Sequence, residues 1–213
     1  MEESDPVVAK IRLTKGFDGK FQLNLEKLQD MNRQHTGLKG IRGNVIEITI
    51  DIEYQFNLLI SNLLFGGDNN RASTIPHETK GEIRFFEDFI LNTNHMPFGA
   101  KIKIFRSLYK RCSFLKKYEQ DCKKLASDLQ NVVEWRDRFA HGSIQFKATK
   151  EGISNEPYLF YYADNEPKEQ VLNNEFFNEI INPRFNKTYN QLTDLRGKVN
   201  GLFQSEQLFF DFD

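Results

Sequence analysis

Three residues past the middle of the chain have the types and spacing for phosphate and proton chemistry. They are Arg136, Asp137 and His141, set in the run Glu134-Trp135-Arg136-Asp137-Arg138-Phe139-Ala140-His141-Gly142. An arginine is a fixed planar cation that grips phosphate, and a histidine moves protons near neutral pH. Asp137 and His141 are four residues apart, so on a helix they share a face, where the carboxylate can accept a hydrogen bond from the imidazole and fix its tautomer. Arg136 and His141 are five apart, about 140° around an ideal helix. They converge only if the last turn unwinds or a second chain supplies the missing partner. Gly142 reads as a C′ residue in left-handed conformation, which sets His141 among the last carbonyls, a place suited to a proton donor or phosphate contact.

The element that must position these groups is a helix. Leu115, Tyr118, Cys122, Leu125, Leu129 and Val132 recur at steps of three and four, which is one buried stripe of an amphipathic helix. The next position on that stripe is Arg136, a charge where the pattern asks for leucine. Local violations of this kind mark functional sites.

Arg136, four intervening residues and His141, with a polar residue directly after the arginine and Ala140-His141-Gly142 closing the helix, resemble the motif of the HEPN superfamily (higher eukaryotes and prokaryotes nucleotide-binding). The surroundings fit: a long helix near residues 41 to 65, the block Met96-Pro97-Phe98-Gly99-Ala100-Lys101-Ile102-Lys103 opening another helix, and a hairpin-like stretch after the histidine. The resemblance implies an antiparallel helical bundle and a homodimer. It also implies a ribonuclease that works by transesterification with neither metal nor cofactor. Arg136 would neutralise the scissile phosphate, His141 would move the proton and Asp137 would orient His141. Asparagine commonly follows the arginine in this family, and Asp137 departs from it by adding a charge. In some relatives the domain is the toxin of a toxin and antitoxin pair or part of phage defence, so an antitoxin or other partner protein belongs to the expectation. The alternative is a non-catalytic RNA-binding or protein-interaction module.

Bulk properties narrow the classes. The chain has 213 residues and a formal net charge of −1, so it can bury one sizeable core and carries no global basic field. Contact with RNA must therefore be local. Residues 101 to 124 hold nine basic residues against two acidic ones, and this run leads into the helix of Arg136. Lys101, Lys103, Lys116, Lys117, Lys123 and Lys124, with Arg138, are the candidate RNA-binding residues; a solvated helix face is the plainer reading. Cys112 and Cys122 are ten residues apart, about 15 Å within one helix, too far to bridge. They read as reduced core thiols of a cytoplasmic protein. Glu2, Glu3 and Asp5 near the start, where a signal peptide would be basic, and the lack of a membrane-length apolar run lead to the expectation of a soluble protein. The four histidines are scattered and predict no metal site.

The remaining elements follow from periodicity. Residues 1 to 40 read as an adapter, with a short strand at Val7 to Leu13 and a helix ending near Gly37, His35 lying in its last turn. Residues 41 to 203 read as the HEPN-like domain. Within 41 to 65, Val45, Ile48, Ile52, Phe56, Leu59 and Leu63 favour helix over the competing alternation of a strand. Ile50, Tyr54 and Leu58 then form a second apolar strip, for another helix or a dimer partner. Gly66 to Pro76 is a loop and Gly81 to Leu91 a helix, with His77 and His95 in polar connections. Ile144, Phe146 and Ala148, a polar turn around Lys150 to Pro157, and Tyr158 to Ala163 predict a β-hairpin at about 144 to 163. Asn173 or Asn174 caps a final helix, with Pro183 inside it, that runs to about residue 203. Residues 204 to 213 form an aromatic, acidic tail. The expected fold class is mainly α, a HEPN-like helical bundle with a small β-hairpin insert after the third long helix.

Overall fold

A computed structural model of the chain describes residues 11–12, 25–65, 84–92, 96–149 and 152–205. The loop at Gly66 to Pro76, His77, His95 and the end of the tail lie outside the described residues. The fold is mainly helical, with a small antiparallel sheet after the third long helix. In order, the chain gives β1 (Ile11–Arg12), α1 (Leu25–Phe65), a short π-helical α2 (Phe86–Leu91) and α3 (Phe98–Arg111). A 3₁₀ segment (Ser113–Tyr118) leads into α4 (Glu119–His141). Then come β2 (Ser143–Thr149), β3 (Gly152–Ala163), β4 (Glu166–Val171) and a π-helical turn (Phe176–Ile181) that runs into α5 (Asn182–Ser205).

Two expectations about boundaries are corrected. No helix ends near Gly37: α1 runs unbroken for 41 residues, and His35 sits mid-helix. Glycine lowers helix propensity, but a helix with tertiary partners tolerates it. The expected hairpin is present as β2 and β3, but β3 begins at Gly152 rather than after Pro157, and a turn at Asp164-Asn165 adds a third antiparallel strand, β4. Both turn residues have positive φ, 53° and 63°, which Asp and Asn tolerate best after glycine. Tyr158 pairs with Val171 and Phe160 with Glu169. β1 adds a parallel edge through Ile11 opposite Phe146.

The chain divides into two compact units, Met1–Glu47 with Trp135–Asn182, and Ile48–Glu134 with Pro183–Asp213. In the second, Ile52, Phe56, Leu59, Ile60 and Leu63 of α1 are buried, and the Phe56 ring meets Phe98 and Phe105 of α3. Ile48, Ile50 and Tyr54 are exposed among the described residues. The pairs Lys187–Asp128 and Lys198–Asp121 run in opposite directions along α5 and α4, which are therefore antiparallel. Cys112 and Cys122 are free and buried, and burial pushes both thiols up, Cys122 to about 12.

α1 also carries polar side chains inward, each met by a neighbouring helix. Asn57 donates to the Leu91 carbonyl and to Asn92, Ser61 donates to Glu87, and Asn62 donates to Asn200. Glu53 pairs with Lys101 of α3, which is only 1% exposed. Lys101 is thus a core residue, withdrawn from any role in binding RNA. An ammonium left alone in a core costs several kcal/mol. Glu53→Ala is expected to lower unfolding stability by about 3 kcal/mol, measured by urea titration, while replacing both partners with methionine recovers most of that loss.

Candidate functional site

α4 stays helical through His141, so the last turn does not unwind around the motif. The apolar stripe does not break at Arg136 either. From Val132 it steps three to Trp135 and four to Phe139, both buried, and Arg136 lies beside it, half-exposed. The Trp135 and Phe139 rings pack on Phe176, and Phe139 also meets Phe177. Asn173 caps this turn, its Oδ1 accepting from the Phe176 N–H at 2.8 Å. The aromatic cluster fixes the rotation of the last helical turn and with it the directions of the polar side chains.

Those side chains divide into separate roles. The Arg136 guanidinium donates through Nε and NH2 to one oxygen of Asp137, at 3.0 and 2.8 Å. Among the described residues no hydrogen bond joins Asp137 to His141, although the spacing allows one. The adjacent guanidinium offers two charge-assisted donors, and the imidazole offers one. Arg138, expected on an RNA surface, stacks instead on the rings of Trp135 at 4.5 Å and Tyr161 at 5.1 Å, a cation–π sandwich between α4 and β3. His141 is exposed at the helix end.

Gly142 corrects a further expectation, because its φ lies outside the left-handed region. Glycine is needed there for space. A Cβ would meet the carbonyl oxygens of Arg138 at 2.4 Å and Phe160 at 2.9 Å, and the Leu159 side chain at 2.9 Å. The Gly142 N–H bonds the Arg138 carbonyl at 2.8 Å, and its own carbonyl accepts from Arg42 of α1 at 2.9 Å. Arg42, a residue with no motif to announce it, thus fastens the chain next to His141. His35 lies on the same stretch of α1 and its pKa is lowered from 6.5, first by burial and then by the cations Lys39 and Arg42.

The lysines anticipated as RNA contacts belong to the second unit. Lys103, Lys116, Lys117, Lys123 and Lys124 are exposed, with Lys123 engaged by Glu119. Among the described residues no cluster of His, Cys, Asp and Glu has the make-up to hold a metal, and no helix is long and apolar enough to cross a membrane.

Two outcomes follow from this geometry. Gly142→Ala is expected to destabilise the fold by about 2 kcal/mol, read as a lowered thermal midpoint, since two of the three obstructing atoms are backbone. With its pKa lowered on folding, His35 binds its proton more readily in the unfolded chain. Its contribution to stability is therefore lost as pH falls from 6.5 through the lower folded value, and Lys39→Gln should shift the His35 NMR titration upward. Comparison with protein-family models, with curated proteins and with solved structures finds no match to this chain.

Proposed function

We propose that this chain is a metal-independent ribonuclease of HEPN type, acting as a homodimer in which Arg136 of one protomer works with His141 of the other. The observation that carries the reading is the unbroken helix through His141. It leaves Arg136 and His141 about 140° apart with both side chains accessible, so that a second chain must bring the two groups onto one phosphate. In the step envisaged, the ribose 2′-hydroxyl attacks the adjacent phosphorus while a neutral imidazole takes its proton. An imidazolium gives a proton to the departing 5′-oxygen, leaving a cyclic phosphate and a free hydroxyl. Arg136 balances the charge that grows on the phosphate oxygens.

Asp137 opposes this chemistry, because its carboxylate holds the guanidinium that the phosphate needs. That pair also favours a second reading, a non-catalytic interaction module in which Arg136 and Asp137 act only as a surface pair. The two separate by experiment. RNA pools incubated in EDTA with wild type, His141→Ala and Arg136→Ala are expected to be cut by wild type alone, with all three proteins folded and equal in mass in solution. Asp137→Asn is expected to raise kcat/KM by about two- to fivefold, the worth of an exposed ion pair. Equal inertness of wild type and His141→Ala, with Arg136→Ala dissociating an oligomer, would transfer the motif to the interaction reading.

A further inference from the structure

The basic run between residues 101 and 124 takes no part in the reading of Arg136 and His141, and the structure sorts its residues. α3 contains no acidic residue. At about 100° per residue, Lys103, Arg106, Lys110 and Arg111 fall within an arc of about 140°, and all four are exposed. Lys101 takes the opposite arc with Phe98, Ile102, Phe105 and Tyr109, all buried. Arg106 also reaches to 3.5 Å from the Ala126 carbonyl, which holds this face alongside α4. Lys116 and Lys117 continue the same charge on the following 3₁₀ segment, both exposed. The two acids of the run are already matched, Glu119 by Lys123 and Asp121 by Lys198. Lys103, Lys110, Arg111 and Lys116 make no ion pair among the described residues. The helix dipole gives Lys110 and Arg111 a reason to sit in the last turn, but none to Lys103 or Arg106.

The kind of partner follows from what accompanies the charge. The large apolar side chains that are exposed among the described residues lie elsewhere, on α1, on α5, on the sheet and at or just before α2. Beside the lysines Tyr109 is buried, Phe114 is half-buried, and the Tyr118 ring is covered by the ammonium groups of Lys117 and Lys198. A protein partner usually needs an aromatic or aliphatic anchor, and stable attachment to a lipid surface needs an inserted group as well as charge. A phosphodiester chain needs only cations spaced along its path, and successive turns of α3 supply them about 5 Å apart.

We propose that the outer face of α3, with Lys116 and Lys117, binds the phosphodiester backbone of a nucleic acid, whether or not Arg136 and His141 cut it. Each cation neutralises a phosphate and releases counterions, so affinity falls steeply with salt and carries little sequence preference. The test is binding of the full chain to a labelled RNA strand, the same DNA strand, a DNA duplex and phosphatidylserine vesicles across a salt series. The variant Lys103→Gln/Lys110→Gln/Arg111→Gln is compared with a charge-matched control, Asn186→Glu/Asn190→Glu/Thr193→Glu on α5. The expected result is nucleic-acid binding by wild type whose salt slope drops by about 2 in the glutamine variant, at about 0.7 per phosphate on a single strand, with the control close to wild type. The strand and duplex arms tell which form the face prefers. No binding by wild type, an unchanged slope in the glutamine variant, an equal loss in the control, or binding to vesicles alone would each overturn the proposal. A wild-type chain that binds through this face without cutting RNA fails only the nuclease reading.

Discussion

A buried polar group must be met by a partner, and α1 makes that constraint the framework of the second unit. Glu53, Asn57 and Ser61 lie along one stripe of it and Asn62 to the side, and their partners stand on α3, on α2 and the residue after it, and on α5. Apolar contacts around Phe56 supply most of the driving force, but they tolerate a helix sliding by a turn. Hydrogen bonds do not. A shift of one turn would strand Lys101 and three side-chain amides or hydroxyls together, so the polar contacts select one register among many that the hydrophobic effect would accept.

The first unit is organised by different means. Trp135, Phe139, Phe176 and Phe177 form an aromatic cluster at the end of α4, and Tyr161 joins it from β3 with Arg138 held between rings. Three charged neighbours in sequence consequently have three different surroundings: Arg136 faces the Asp137 carboxylate, Asp137 is committed to Arg136, and Arg138 is stacked. His141 is exposed at the helix end and takes part in none of these contacts. Proximity in sequence therefore says little about shared chemistry on a helix, where each step turns the side chain by about 100°.

The helices were legible where the three-four spacing was strong, as in α3 and α4, and so was the asparagine cap at Asn173. The path of the stripe past Val132 was not. A step of four reaches Arg136 and a step of three reaches Trp135, and only the tertiary partners Phe176 and Tyr161 decide between them. Lys101 was misread because composition cannot tell a lysine facing water from one facing a glutamate forty-eight residues away. The third strand was missed because Glu166–Val171 is exposed and charged, as a protected sheet edge often is, and so lacks the hydrophobic alternation that reveals inner strands. Gly142 invited a conformational explanation, and its true constraint, the closeness of the Phe160 carbonyl, lies in a contact between residues that no local pattern records.

Trp135 is the chain's single tryptophan, and it lies in the aromatic cluster under the Arg138 guanidinium. Its emission therefore reports on that cluster of the first unit, whereas α2 and α3 belong wholly to the second and contribute to helical circular dichroism without any indole of their own. The molecule thus carries an internal optical label on the unit that holds Arg136 and His141. Loosening of the stacked guanidinium would register as a change in fluorescence while the ellipticity of the other helices stays constant, so the order in which the two units open can be followed without attaching a dye.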